Sequence, residues 1–308
     1  MLDGSKKIYT FGKRKIKKLA GLMILTAGIL WGILGIFVRE LNADDLASMD
    51  IVLIRAVTTT IILLPILFIR KKGEWKIRLR DIWCFIGTGI GSIVFFNFCY
   101  FKAVVMTSLS VAAVLLYTAP AFVIIISAFI FRERVTVKKV IALVLTFLGL
   151  MLVTGILGSG SRLSAGGILF GLGAGLGYAL YSIFSRFAIQ RGYPPLTITF
   201  YTFLIAAISS AALTNPVRII GSFAARPSLL IPALLLGALC TVCPFALYTT
   251  GLQYTENGVA SIIASIEPVA STVVGALLYG EFLSAWNAAG VVMVLSGVII
   301  SSLRPKKS

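Results

Sequence analysis

Long apolar runs separated by short polar or charged stretches follow one another along the whole chain. They read as Leu19 to Val38, Met49 to Ile69, Ile82 to Val105, Leu109 to Phe131, Val140 to Leu157, Gly166 to Phe187, Leu196 to Leu213, Leu229 to Gly251, Val259 to Tyr279 and Ala285 to Leu303. Each approaches the roughly 20 residues that a helix needs to cross about 30 Å of hydrocarbon. Backbone polar groups at that depth must bond within their own segment, so runs of this length predict helices. The pattern therefore predicts an all-α polytopic membrane protein with ten transmembrane helices. The first run follows a basic arm bearing Lys6, Lys7, Lys13, Arg14, Lys15, Lys17 and Lys18. It is too long for a signal-peptide core and leads into Arg39 and Glu40 without a small-residue cleavage site, so it reads as a span.

The runs fall into two matching sets of five. Tyr100, Thr107, Val111, Ala112, Pro120 and Glu133 recur without a gap 148 positions later as Tyr248, Thr255, Val259, Ala260, Pro268 and Glu281. Ala27, Gly28, Ile36, Phe37 and Arg39 recur 147 positions on as Ala174, Gly175, Ile183, Phe184 and Arg186. An odd number of spans per half makes the second half enter from the opposite side, which predicts two inverted five-helix repeats about a pseudo-twofold axis in the membrane plane. The expected organisation is a basic cytoplasmic arm at 1–18, a first repeat at 19–157, a Gly/Ser-rich linker at 158–165, a second repeat at 166–303 and a cytoplasmic tail at 304–308.

Composition narrows the function classes. Of 308 residues 58% are hydrophobic and 13% are charged, against about 25% charged in soluble domains. A net charge of +17 could suggest nucleic acid, but the basic residues lie between apolar runs instead of on a soluble face with stacking aromatics, so no nucleic-acid partner is expected. Placing both termini in the cytoplasm puts 22 of the 28 basic residues inside, five outside (Arg39, Lys102, Arg162, Arg218, Arg226) and Arg55 within a span, as cytoplasmic enrichment in Lys and Arg requires. The expectation is a multi-pass plasma-membrane protein. There is no histidine, and the four cysteines, Cys84, Cys99, Cys240 and Cys243, all fall in apolar runs and read as packing. With no histidine and no Gly-x-Ser-x-Gly elbow, neither an enzyme, a metal site nor a cofactor is expected.

Taken together, the ten spans, the segment Gly28-Ile-Leu-Trp-Gly-Ile-Leu-Gly35, the membrane-embedded Arg55, and the Pro-to-Glu pattern closing the fourth and ninth runs (Pro120 to Glu133, Pro268 to Glu281) resemble the EamA-like branch of the drug/metabolite transporter superfamily. The resemblance covers nearly all of Leu19 to Leu303. It implies a carrier for small organic metabolites, in many members an exporter of amino acids or related compounds, with a central cavity between the repeats. A lipid or lipid-linked sugar flippase on the same fold is the alternative. Substrate identity, coupling ion and oligomeric state are not legible, with protons a candidate for coupling and membrane lipid the surroundings.

Several residues are candidates for that cavity, each with a structural alternative. Arg55 could anchor a substrate carboxylate or phosphate, or pair with Asp50 or Glu267. Glu267, a carboxylate at mid-span, could receive a substrate ammonium or a proton, or serve as a fixed ion-pair partner. Trp31 and Tyr178 hold equivalent repeat positions, as do Tyr100 and Tyr248, and could line the cavity or pack. Asn97 is polar and needs a partner. Pro120 and Pro268 are expected to bend their helices, freeing carbonyls that could line the site. Glu133 and Glu281 end their runs near opposite mouths and read as gate or cap elements. Glycines four apart, such as Gly28 with Gly32 and Gly171 with Gly175, predict smooth faces for close helix contact.

Overall fold

The computed structural model describes residues 19–42, 46–69, 75–156 and 164–303. Its helices, in chain order, are α1 (Leu19–Asn42), α2 (Ser48–Ile69), α3 (Leu79–Met106), α4 (Leu109–Phe131), α5 (Val137–Val153), α6 (Ala165–Gln190), α7 (Pro195–Ala211), α8 (Pro216–Ala225), α9 (Pro227–Leu252), α10 (Asn257–Tyr279) and α11 (Ala285–Ser302). Eight of these are long and apolar enough to cross a membrane, or nine when α7 and α8, bent by 100° at their junction, count as one broken span. α5 has 17 residues, at the lower limit for a spanning helix. The basic arm, most of the linker and the C-terminal tail lie outside the described residues. The ten expected runs each overlap a helix, and α8 is an addition: Asn215 caps it through the Arg218 amide at 3.2 Å and Pro216 starts it. Large apolar side chains such as Ile61, Phe68, Phe129, Leu169, Ile208 and Leu277 point outward, as lipid-facing positions do.

The helices pack in pairs that exchange under the repeat relation. α2 lies on α7, α4 on α10 and α5 on α11, while α3 packs on α6 and α1 on α9. Lipid tails are as apolar as leucine, so close packing must hold such pairs together. Glycine supplies the closeness at equivalent points. A Cβ on Gly149 of α5 would stand 2.7 Å from the Gly290 carbonyl of α11, and one on Gly297 would stand 2.8 Å from the Ala142 carbonyl. The two contacts map onto each other at a shift of 148. Similarly, Gly89 of α3 abuts the Thr202 carbonyl and Ile205 of α7, and Gly237 of α9 abuts Thr58 of α2.

Both α4 and α10 are broken at mid-length. The first half of α4 ends at Leu116 and the second starts at Ala119; α10 stops at Ala264 and restarts at Glu267. Pro120 and Pro268 therefore stand in the first turn of a new half-helix, where no intrahelical donor is needed. The carbonyls one turn earlier belong to Leu116 and Ala264. They lie against the glycine faces of α6 and α1: a Cβ on Gly175 would be 3.2 Å from the Leu116 oxygen, and one on Gly28 would be 2.9 Å from the Ala264 oxygen. The helix break and the glycine face thus form one contact, made twice.

Candidate functional site

The break in α10 places Glu267 at the first position of its second half, half-buried in the bundle. The Tyr178 hydroxyl of α6 donates to Glu267 Oε2 at 3.0 Å. From there aromatic rings lead across the molecule. Tyr178 stands edge-on to Trp31 with centroids 6.4 Å apart, Trp31 meets Phe245 at 5.1 Å, and the Arg55 guanidinium lies 5.5 Å from the Phe245 centroid. Arg55 also lies 5.8 Å from the Phe203 ring. Cation–π contacts of this kind favour the charged guanidinium in an apolar wall.

Arg55 is oriented by a backbone irregularity. α3 and α9 each contain a π-helical segment, Gly87–Val94 and Ala238–Val242, at matching repeat positions; such segments often mark functional positions. In α9 the wide turn lets Thr241 Oγ1 donate to the Leu236 carbonyl at 2.9 Å while accepting from Arg55 Nε at 2.7 Å. The run Thr58, Thr59 and Thr60 turns its hydroxyls onto carbonyls of its own helix, as threonines in apolar helices commonly do. Arg55 is half-buried, and its terminal nitrogens make no hydrogen bond to the protein among the described residues.

No ion pair joins Arg55 to Glu267 or to Asp50. Asp50 is buried and accepts from Arg218 of α8 and from the Ala47 amide at 3.0 Å, so it is committed elsewhere. Glu267 has only the Tyr178 hydroxyl among the described residues. Arg55 and Glu267 thus stand at the two ends of one aromatic chain without forming an ion pair.

The other candidates divide. Tyr100 joins the Glu267 surroundings through Phe96, whose ring lies 6.0 Å from Tyr100 and 5.6 Å from Tyr178. Tyr248 is buried, 5.4 Å from Trp31, with its hydroxyl bonded to Ser182 at 2.7 Å. Asn97 is buried and gives its amide to the Ile93 carbonyl at 2.8 Å, inside the π-helical stretch of α3. The indole nitrogen of Trp31 is buried without a partner. Thr241, Phe203 and Phe245 were not among the sequence candidates, because nothing in an unbroken apolar run shows which side chain points inward. Among the described residues no group of three or more His, Cys, Asp or Glu could hold a metal ion.

The two terminal glutamates leave identical turns and then diverge. Arg132 and Gly280 both have left-handed backbones, φ 56° and 65°, and the Glu133 and Glu281 amides bond the Ser127 and Gly275 carbonyls at 3.2 and 3.3 Å. Glu133 reaches across to α10, accepting from the Asn257 amide at 2.7 Å and the Gly258 amide at 3.3 Å. A carboxylate on the first amides of a helix is electrostatically favoured. Buried Lys139 bonds Glu256 at 2.6 Å and lies 3.6 Å from Glu133, and Arg186 donates to Asn257 Oδ1 at 2.7 Å and to the Thr255 carbonyl. Glu281 instead is exposed and folds back over Gly275.

Comparison with known proteins agrees with this architecture. The model of the EamA-like transporter family matches residues 18–155 and again 165–303, which coincides with the two halves. An uncharacterized transporter of Archaeoglobus fulgidus is 33% identical over 282 residues, covering 90% of this chain and 94% of that one. The uncharacterized transporter YxxF of Bacillus subtilis is 25% identical across 94% of this chain and 91% of its own, and the uncharacterized inner membrane transporter YicL of Salmonella typhimurium is 23% identical across 93% and 96%. A solved crystal structure shares the fold with a TM-score of 0.77 at 18% identity, covering 92% of this chain and 96% of its own. With its sequence matched twice over and its relatives named as transporters along almost their full length, this multi-pass membrane protein belongs to the EamA-like transporter family.

Proposed function

We propose that the protein is a secondary transporter that carries a small zwitterionic metabolite, an amino acid or related compound, across the plasma membrane by alternating access between its ten-span inverted repeats. The observation that carries this reading is that Arg55 and Glu267, each held by one neutral hydroxyl, form no ion pair with each other or with another of the described residues. A lone acidic or basic residue at mid-span is unfavourable by about 2.5–3.5 kcal/mol on insertion scales, and the bundle keeps two without letting them pair. A ligand with a carboxylate and an ammonium would satisfy both, the carboxylate bidentate on Arg55 and the ammonium on Glu267 beside Tyr178. Glu267 can exchange a proton for that ammonium, which would couple movement to a pH gradient. Export is the direction that the family resemblance implies, and the excess of basic residues at the Glu133 end supports placing that end in the cytoplasm.

The test is counterflow of a panel of labelled amino acids in proteoliposomes. Saturable exchange of one or more of them is expected, lost in both Arg55→Gln and Glu267→Gln at matched insertion. Scrambling of labelled phospholipid without amino-acid exchange would favour the flippase reading instead. For orientation, a cysteine introduced at Ser161 should react with an impermeant maleimide from outside intact cells, and one at Ser308 should not.

A further inference from the structure

The two ends of the bundle are one design in two states. At the Glu133 end three interactions gather α4, α5 and α6 onto the start of α10: the carboxylate on the Asn257 and Gly258 amides, Arg186 of α6 on Asn257 and the Thr255 carbonyl, and Lys139 of α5 on Glu133 and Glu256. Shifted by 147–148 positions, the first two predict a set at the other end, Glu281 on the amides of Leu109 and Ser110 at the start of α4 and Arg39 on the Thr107 carbonyl, while Lys139 and Glu256 correspond to Asn287 and Ser108. The parts for this second set are present. Glu281 leaves an equivalent left-handed turn, with its amide on the same relative carbonyl as Glu133. Ser108 caps α4 through the Val111 amide at 3.2 Å, one position beyond the two amides that Glu133 takes at the start of α10, so the local cap and the expected partner do not compete. Yet the set is not made. Glu281 and Arg39 are exposed, and Arg39 stacks on Tyr279 at 4.3 Å.

We infer that Arg39 and Glu281 are the gate residues of the end that stands open in this structure, and that in the alternate state the Glu281 carboxylate accepts from the Leu109 and Ser110 amides while Arg39 leaves Tyr279 for the Thr107 carbonyl, as the Glu133 set comes apart. Part of the exchange cancels, because a carboxylate at a helix N-terminus is lost at one end as an equivalent one forms at the other. What remains to bias it is the difference between the ends. Asn257, which bonds Ser127 at 3.0 Å and accepts from Arg186 at the closed end, corresponds to Leu109 at the open one, and Lys139 and Glu256, an ion pair at the closed end, correspond to Asn287 and Ser108, so the structure with Glu133 engaged is the resting state. Substrate binding between the charges then has to outweigh that difference. This assignment rests on the alternating-access reading above and adds the residues that hold the second state.

The experiment measures distances between nitroxide labels in the otherwise cysteine-free protein, at Val105→Cys with Phe282→Cys for the open end and at Gln253→Cys with Arg134→Cys, the repeat equivalents, for the closed end. Glu133→Ala is expected to raise the short-distance fraction of the first pair roughly fivefold, the factor one helix cap is worth, and to lengthen the second pair. Glu281→Ala should remove that short-distance fraction, and Glu281→Asp should restore part of it. Glu281 is exposed, so its variants fold even where Glu133→Ala accumulates poorly. Unchanged distances in Glu281→Ala, or a short fraction in the first pair that ignores both glutamates, would overturn the assignment. The labels report populations without substrate, so these results stand apart from any amino-acid assay. Amino-acid exchange with distances indifferent to Glu281 would sink the gate alone, and correlated distances without exchange would sink the substrate alone.

Discussion

The breaks at the centres of α4 and α10 have the same backbone and different chemistry. Each stops two residues before a half-helix that opens with proline in its first turn, and each is covered by a glycine face, Gly175 on α4 and Gly28 on α10. At the start of the second half α10 carries Glu267, whereas α4 carries Ala119 at the matching position. Arg55 is likewise unmatched, since Thr202 holds its place in the second repeat and bonds Thr88 at 2.6 Å. The repeat therefore supplies a symmetric frame, while Arg55 and Glu267 are single copies within it.

The largest expected effect comes from moving that chemistry. Glu267→Ala should reduce amino-acid exchange by roughly 10–100-fold, the scale of one charge-assisted hydrogen bond. Adding Ala119→Glu should not restore it, because the repeat position equivalent to Arg55 holds Thr202 in place of a guanidinium. Recovery in the double variant would mean that any carboxylate at either break suffices.

A smaller effect is expected from breaking the frame. Gly28→Val and Gly175→Val insert side chains against the Ala264 and Leu116 carbonyls and should each destabilise the protein by about 1–3 kcal/mol. The two losses should be nearly equal in thermal unfolding of the detergent-solubilised protein. A large difference between them would contradict the equivalence of the two contacts.

The smallest effect belongs to the prolines. Since the helix breaks before each of them, Pro120→Ala and Pro268→Ala should shift stability by no more than about 1 kcal/mol and change turnover at most a few-fold. Loss of transport in either would show that the ring itself, and not the break, shapes the path.

Most of this frame is legible in the sequence, because run length and the register of Tyr, Pro and Glu are properties of the chain order. Leu109 to Phe131 is the helix as read, and the other runs are displaced by a few residues. The short helix α8 is not, since Arg218 within its ten residues and Arg226 just after them make the stretch resemble a loop. The site is only half legible. Arg55 and Glu267 are conspicuous as charges in apolar runs, and Trp31 and Tyr178 as a repeat pair. Helices that are apolar on every side carry no periodic signal of direction, so Phe203, Phe245 and the hydroxyl of Thr241 emerge only when neighbouring helices are in place. The same holds for Asp81, buried among Arg78, Arg191 and Tyr193, and for Asp50, whose partner lies 168 residues away on α8.

The most direct test of the zwitterion site is a matched set of ligands and variants read by binding to the purified protein. For an amino acid that exchanges, its carboxamide should bind more weakly to the wild type and be indifferent to Arg55→Gln, and its N-acetyl derivative should be indifferent to Glu267→Gln. The free amino acid should lose roughly tenfold or more in each variant, consistent with one charge-assisted contact apiece. If Arg55→Gln weakens the amide as much as the free acid, the guanidinium does not hold the carboxylate, and the two charges are not the two ends of one ligand site.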